Sequence, residues 1–258
     1  MKYWKLKEKI KDLYDKIALE YDLSSKLHIT RIIEKCEEAV TYDLLRNRKF
    51  QKSLDLGAGT GRYIKLLVHM SKHIIALDFS LNMLKVLKRK HGQHPNLDLI
   101  CADIENLPFR NHVFNFAIST LTLDHIPNIT SALHEIFRTL NSNSELIMSS
   151  FNEKILKRYR EEYHTPKDMM DFETENVPKT YVFEKGHTPN ELTKLLSKVG
   201  FKEVRYISCC LWPPITLIIP KTIRGIIVKH YRPLFDKFLR LFNVFKRNAL
   251  LYIYLAKT

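Results

Sequence analysis

Three glycines and a carboxylate lie close together early in the chain, and their spacing could bind a small cationic ligand. Gly57, Gly59 and Gly61 fall within five residues, whereas the 258-residue chain has only seven glycines. Glycine accepts a positive φ and lets a ligand approach the backbone more closely than a Cβ allows. Asp55 comes two residues before this loop, and its charge would attract a cation and repel a pyrophosphate.

Two phosphate-binding motifs are alternatives for such a loop, and neither fits. The dinucleotide motif G-x-G-x-x-G/A places a small residue at its sixth position, where this chain has Arg62. A P-loop continues with Gly-Lys-Ser/Thr, and no such sequence follows here. The loop therefore differs from both motifs.

Further polar residues follow the next apolar segments. Asp78 ends the apolar run 74–77, at about the distance along the chain where a second parallel strand presents a carboxylate to ribose hydroxyls. Asp103 follows the apolar segment 97–101 and could accept a hydrogen bond from an adenine amine. His125 follows the segment 114–119, and its ordinary pKa suits a general base.

A doubly wound α/β sheet would bring these residues to one edge. We predict amphipathic helices at 129–140 and 189–199 and strands at 53–56, 74–77, 97–101, 114–119, 145–151, 203–209 and 249–257. Alternating strands and helices are typical of this architecture. A chain of this length suffices for one substantial core, so we predict a single domain.

Five segments of the chain, taken in order, carry a resemblance to a known protein family. They are YDKIALEYD at 14–22, LDLGAGTGRY at 54–63, ALDFSLNML at 76–84, ADIENLPF at 102–109 and FNFAISTLTLDHI at 114–126. In this order they resemble the class I S-adenosylmethionine-dependent methyltransferases, in particular the subfamily with the ubiquinone and menaquinone C-methyltransferases. The resemblance is close over about residues 10–150. It implies S-adenosylmethionine (SAM) as cofactor, S-adenosylhomocysteine as product, and a Rossmann-like seven-stranded sheet of order 3-2-1-4-5-7-6 with the seventh strand antiparallel.

The resemblance also implies roles for individual residues. The implied cofactor-binding residues are Tyr21, Asp55, Gly57, Ala58, Gly59, Gly61, Asp78, Phe79, Met83, Asp103, Ile104 and Thr120. The glycine loop and Asp55 would hold the methionyl end, and Asp78 the ribose. Phe79 and Met83 would flank adenine. The implied catalytic residues are His125 and Tyr21; Tyr14 shares the segment that closes over the cofactor. No metal is implied.

Several of these residues also fit structural roles. Asp78 could be a carboxylate that favours a helix N-terminus, and Asp103 could start a turn before Pro108. Met83 lies among apolar residues at helical spacing and fits a core position equally well. His125 would serve as a base for a hydroxyl or acidic carbon acceptor, and would be dispensable for a thiolate or free amine.

The formal net charge of +14 is larger than a small-molecule enzyme requires, but charge alone does not identify a partner. Five lysines lie within residues 2–11, and basic and apolar residues alternate over 221–247. The later pattern predicts a basic amphipathic helix, either packed with a solvated cationic face or bound to an anionic membrane surface or RNA. Its strongly apolar side favours a membrane surface or a lipophilic acceptor over RNA.

Three functions are therefore open. The favoured one is direct in-line methyl transfer from SAM to a small acceptor, for which a lipophilic molecule is the leading candidate. The alternatives are a tRNA or rRNA methyltransferase and a non-catalytic protein that binds SAM or a partner. Residues 119–122 read Ser-Thr-Leu-Thr and lack the Asn/Asp-Pro-Pro-aromatic sequence of enzymes that methylate base amines, which disfavours base methylation.

We divide the single domain into an N-terminal helical cap (1–45), a cofactor-binding core (46–151), a lid insertion (152–188) and the rest of the sheet (189–258) with a basic amphipathic insertion at 211–248. The four cysteines lack metal-ligand spacing, and the chain shows no signal-like apolar start. We therefore expect a cytoplasmic protein that is peripheral to the membrane if it contacts one.

Overall fold

The computed structural model describes residues 3–24, 28–211 and 249–258. The basic amphipathic helix predicted within 221–247 lies outside these ranges, as does almost all of the insertion predicted at 211–248.

Nine strands and seven helices are described. The strands are β1 (Phe50–Leu56), β2 (Ser71–Asp78), β3 (Leu97–Cys101), β4 (Phe114–Ser119), β5 (Leu140–Phe151), β6 (Met169–Phe172), β7 (Thr180–Phe183), β8 (Lys202–Cys209) and β9 (Leu251–Lys257). The helices are α1 (Tyr3–Ile17), α2 (His28–Leu45), α3 (Ile64–Met70), α4 (Leu81–His91), α5 (Ile129–Thr139), α6 (Glu153–Tyr163) and α7 (Pro189–Val199).

Seven of the strands form the central sheet, in the order β3-β2-β1-β4-β5-β9-β8. Strand β9 runs antiparallel to β5 and to β8, whereas the remaining neighbours pair in parallel. Since β8 and β9 are the sixth and seventh strands of this sheet along the chain, the predicted order and the antiparallel seventh strand are confirmed.

The sheet core explains why these segments form strands. Leu54, Leu56, Ile74 and Leu77 are fully buried in β1 and β2, as expected for parallel strands covered on both faces. Asp55 pairs with Ala76 of β2 and Ile118 of β4, so it lies near the end of the central strand. At this point the strand order reverses, which is where open α/β sheets bind ligands.

Several strands begin earlier than predicted. β1 begins at Phe50 rather than at 53, and β2 begins at Ser71 rather than at 74. The extra residues are mostly polar and partly exposed, so the apolar pattern identified only the buried part of each strand. β5 begins at Leu140, directly after α5, and its first residues pair with β4 around a register shift.

The insertion at 152–188 contains structure that the sequence pattern did not predict. It holds α6 and a separate antiparallel hairpin of β6 and β7. Val182 of the hairpin packs into a small second core with Leu13 and Ile17 of α1 and Met83 of α4. The hairpin therefore holds α1 against the edge of the sheet that carries the predicted site.

Candidate functional site

A cavity of about 350 Å³ lies at the carboxyl ends of β1, β2 and β4. Apart from Gly61, every residue implicated by the sequence lines it: Tyr14, Tyr21, Asp55, Gly57, Ala58, Gly59, Asp78, Phe79, Met83, Asp103, Ile104, Thr120 and His125. The segments that contribute them are far apart in the chain, and the fold brings them to one place.

The glycine loop leaves β1 in a conformation that requires glycine. Gly57 and Gly59 have φ values of +69° and +54°, which ordinary side chains rarely adopt. The amides of Gly57 and Ala58 both donate to the Leu77 carbonyl, at 2.8 and 3.0 Å. A Cβ at Gly57 would overlap the Thr122 side chain, whereas a Cβ at Gly59 would meet nothing within 4 Å. Gly57 therefore permits close packing, and Gly59 leaves its backbone open to the cavity.

Gly61 has a structural role that the sequence analysis did not identify. It also has a positive φ, +91°, and a Cβ there would overlap Leu87 and His91 of α4. This glycine therefore lets the loop pack tightly against the helix. Its contact with the cofactor stays a prediction.

Asp55 presents an unpartnered carboxylate oxygen. Its side chain is 3% exposed, and Oδ2 is buried without a hydrogen-bond partner among the described residues. Burial raises the pKa of Asp55 to about 7, with the Asp78 charge adding to the rise and Arg62 opposing it. A buried carboxylate without a partner is costly, so this oxygen is suited to a ligand ammonium such as the methionyl amine of SAM.

Asp78 is held rigidly at the end of β2. One of its oxygens accepts from the Gly59 amide and the other from the Ser80 amide, both at 2.8 Å. Burial raises the pKa of Asp78 to about 6, and these amide hydrogen bonds oppose the rise. Each carboxylate oxygen has a second lone pair, so the group can still accept from two ribose hydroxyls. Ser80 also caps α4 by accepting from the Met83 amide.

Asp103 and Met83 each have the structural role considered from the sequence and also line the cavity. Asp103 accepts from the Glu105 amide at 2.9 Å, which is the predicted turn, and it also lines the cavity. Its other oxygen lies 2.6 Å from Lys7 Nζ of α1. Met83 is 2% exposed within the second core and lines the cavity as well. Lys7 connects α1 to Asp103 through this ion pair. The sequence analysis did not identify Lys7 as a cavity residue, because nothing in the sequence pairs it with residue 103.

Arg62 is a second residue that the sequence analysis did not assign. It forms an ion pair with the fully buried Glu37 of α2, donates to Thr120 Oγ1 at 2.8 Å and lies over the Tyr63 ring at 4.9 Å. It therefore connects the loop to α2 and to the end of β4. The sequence signal that could have identified Arg62 is its place at the sixth position of the loop, where a dinucleotide-binding motif has glycine or alanine.

His125 also lines the cavity and belongs to a short 3₁₀ turn, Leu123–His125. Its Nδ1 is 2.8 Å from the Phe183 carbonyl oxygen, and its Nε2 is 3.1 Å from the Tyr14 hydroxyl. A carbonyl only accepts, so Nδ1 carries the hydrogen and Nε2 of the neutral ring is an acceptor. Burial holds the pKa of Tyr14 well above its usual range, which keeps its hydroxyl a donor to Nε2.

Two sets of residues at the cavity and behind its wall have different chemistry. We call Asp55, Gly57, Gly59 and Asp78 the loop end. We call Tyr14, His125, the Phe183 carbonyl and Glu184 the hairpin end, because Phe183 is the last residue of β7 and Glu184 follows it. Tyr21 lies between α1 and α2, with its ring 6.2 Å from that of Tyr14 and with Arg31 5.0 Å from its centre.

The turn that carries His125 is fixed by its neighbour Asp124. This buried carboxylate accepts from Ser150 Oγ at 2.5 Å and from the Phe151 amide at 2.7 Å. Its backbone carbonyl accepts from the Lys185 amide at 2.8 Å. Asp124 thus joins the end of β4, the end of β5 and the hairpin, and it positions His125 without lining the cavity.

The described residues contain neither a metal-ligand cluster nor a membrane-spanning helix. Nowhere in 3–24, 28–211 and 249–258 do three or more His, Cys, Asp or Glu side chains cluster as metal ligands. In the same ranges, each helix is too short or too polar to cross a membrane.

Comparisons with known proteins agree with this geometry. A family model described as a methyltransferase domain matches residues 54–148, the part that holds the glycine loop, Asp78 and His125. The chain is 28% identical over 156 residues to the demethylmenaquinone methyltransferase of Paenarthrobacter aurescens, which is 60% of each protein. The match thus spans less than two thirds of that relative.

A longer match has no assigned function. An uncharacterised protein of Methanocaldococcus jannaschii is 28% identical over 92% of this chain and 94% of its own length. Among solved structures, the DhpI–SAM–HEP complex superposes with a TM-score of 0.66 over 97% of each chain at 16% identity. At that identity the likeness concerns the fold, and it agrees with the observed sheet order.

Proposed function

We propose that this chain, a class I S-adenosylmethionine-dependent methyltransferase, transfers a methyl group from SAM to a small lipophilic acceptor. The observation that carries the proposal is the unpartnered Asp55 oxygen beside the open Gly59 backbone and the Asp78 carboxylate. These groups match an ammonium, a close ligand approach and a diol.

The chain's own residues would hold SAM along the cavity wall. Asp55 would accept from the methionyl ammonium, and Asp78 would accept from the ribose hydroxyls. Phe79, Met83 and Ile104 offer apolar contacts to adenine, whose amine would donate to Asp103. Because Asp103 also contacts Lys7, cofactor binding and the docking of α1 would support each other.

Bound SAM supplies an electrophilic methyl carbon, so the protein has to orient an acceptor behind that carbon and exclude water. Orientation of this kind contributes about 7–11 kcal/mol in favourable cases. The cavity is also lined by Tyr14, Tyr21, Ile10, Leu121 and Ile126, and we assign these residues to the acceptor. These aromatic and aliphatic side chains favour a lipophilic acceptor, in keeping with the quinone methyltransferase named among the relatives.

Calorimetry with SAM tests the cofactor site. We expect wild-type protein to bind SAM and Asp55→Asn and Asp78→Asn each to lose about tenfold or more in affinity, since each removes a charged hydrogen-bond acceptor. Asp98→Asn is the matched control, because Asp98 is 64% exposed on β3. Folded wild-type protein that gives no heat with SAM would overturn the assignment.

Transfer of a labelled methyl group to a cell extract, followed by fractionation, tests the acceptor class. We expect label in the lipid or small-molecule fraction. Label in RNA would replace the proposal with RNA methylation, and salt-sensitive RNA binding would then be expected. No labelled fraction would indicate a non-catalytic binding protein.

His125→Ala should lower the transfer while leaving SAM affinity nearly intact, and unchanged transfer would remove His125 from the reaction.

A further inference from the structure

Glu184 is a buried carboxylate at the hairpin end that neither the sequence nor the family pattern assigned. It follows β7 directly, and its Oε2 lies 3.9 Å from His125 Nε2. Both side chains are 13% exposed. The preceding residue, Phe183, provides the carbonyl that accepts from His125 Nδ1. Two consecutive residues therefore face the two nitrogens of one imidazole: the Phe183 carbonyl accepts from Nδ1, and the Glu184 carboxyl lies near Nε2.

The surroundings of Glu184 make its charge responsive near neutral pH. Burial raises the pKa of Glu184 to about 7, and the positive charge of His125 and of Arg160 opposes that rise. Asp124 of the 3₁₀ turn and Asp171 of β6 raise it further. Arg160 of α6 donates to the Glu184 carbonyl at 3.3 Å and pairs with Glu153. The hydroxyls of Tyr14 and of Tyr159 complete the titratable groups around it.

We propose that Glu184 is the positioning residue that lets His125 take a proton, and that the methyl acceptor is therefore protic, a hydroxyl or an acidic carbon. The inference rests on the proposed function and narrows its substrate class. An amine delivered as the free base or a thiolate would need no such arrangement, because neither has to lose a proton before attack.

The proton balance follows from the hydrogen bonds. The Phe183 carbonyl keeps the hydrogen on Nδ1, which leaves the Nε2 lone pair facing the Tyr14 hydroxyl. As the acceptor loses its proton to the Tyr14 oxygen, the Tyr14 proton passes to Nε2, so tyrosine is unchanged and histidine becomes an imidazolium. That new charge lies beside the Glu184 carboxylate, which stabilises it. The imidazolium later returns the proton to water.

The test is a nitrogen NMR titration of His125 in the full-length protein, without SAM or acceptor. We expect the neutral ring of wild-type protein to carry its hydrogen on Nδ1. We expect the His125 midpoint to be lower in Glu184→Gln than in wild-type protein, because an opposite charge within about 4–6 Å favours the imidazolium. Glu161→Gln is the matched control: the same substitution at a glutamate of α6 that is 65% exposed should leave the midpoint unchanged. His125→Asn identifies the resonance.

Two results would overturn the proposal. One is an identical His125 midpoint in wild-type protein and Glu184→Gln, and the other is a neutral ring with its hydrogen on Nε2. If Glu184→Gln fails to fold, the wild-type curve decides. A carboxylate that titrates near neutrality beside His125 should give that curve two steps, and a single step would contradict the proposal. Since no SAM is present, these outcomes are independent of the calorimetric test of cofactor binding.

Discussion

The two ends of the cavity are built in different ways. The loop end comes from residues 55–59 and Asp78, which two adjacent strands present directly from their carboxyl ends. The hairpin end joins groups at positions 14, 125, 183 and 184, which come from α1, a 3₁₀ turn and an insertion. Backbone conformation fixes the first, whereas packing between separate segments fixes the second.

This difference would match the tasks that we propose for the two ends. A cofactor with constant chemistry suits a site made of backbone and two fixed carboxylates. The hairpin end, which we assign to the acceptor, depends on how the hairpin packs on α1 through Val182, Leu13 and Ile17, so changes in the hairpin can alter it without disturbing the loop. We therefore expect substitutions at the loop end to affect folding and SAM binding together, and substitutions at the hairpin end to separate them.

The largest effect is expected for Gly57→Ala. The new Cβ would overlap Thr122 and force alanine into a φ of +69°, and strain plus overlap should lower the free energy of unfolding by about 3 kcal/mol. Gly59→Ala is the control, because it has a similar φ of +54° and open space around the added carbon. It should lose only about 1 kcal/mol. Equal losses in urea unfolding would show that close packing at Gly57 is unimportant.

The next effect concerns the pH dependence of stability. The pKa of Asp55 is raised in the folded state, so its contribution is complete at acidic pH and is lost as pH rises through about 7. Asp55→Asn should therefore reduce the loss of unfolding free energy between about pH 5 and about pH 8 by about 2 kcal/mol. Urea unfolding at both pH values measures this. Asp12→Asn, at an exposed position of α1, should keep the wild-type dependence; an Asp55→Asn profile parallel to wild type would contradict the assignment.

The loop end was predictable from sequence because its determinants are local. Three glycines, Asp55 and Asp78 have spacings that the strand–loop–helix geometry dictates, and four of the five lie where that geometry predicts a ligand contact. The packing of Gly61 against α4 was not predictable, because a positive φ has the same sequence signature whether the open side faces a ligand or a helix. Only the position of α4 reveals this packing.

The hairpin end was only partly predictable. His125 was found because it follows a recognisable strand, but its partners depend on tertiary contacts over separations of 58 and 111 residues. Short strands such as β6 and β7 have too few residues for a clear alternation pattern. Glu184 had no signal, since a single glutamate in a polar insertion is normally solvated.

A smaller effect is expected for Tyr14→Phe, which sharpens the comparison from the hairpin end. The variant loses the hydroxyl that donates to His125 Nε2 and should lose about 1 kcal/mol of unfolding free energy. Because the loop end is unchanged, SAM affinity measured by calorimetry should stay within about threefold of wild type, since the lost hydrogen bond lies outside the cofactor contacts. A loss as large as that of Asp78→Asn would show that the two ends are coupled.

The smallest effect is expected for Lys7→Gln, which tests how far α1 connects the two ends. Lys7 Nζ lies 2.6 Å from Asp103 and 2.9 Å from Glu105, and its side chain is 18% exposed. A partly exposed pair of this kind contributes about 0.5–1 kcal/mol, and salt should weaken it. Lys9→Gln is the control with the same change in charge at an exposed position of α1. We expect Lys7→Gln to lower stability more than Lys9→Gln at low salt and the difference to shrink at high salt.

If Lys7→Gln also weakens SAM binding more than Lys9→Gln does, α1 closes over the cofactor through Asp103. If the two variants bind SAM equally, the helix serves the hairpin end alone.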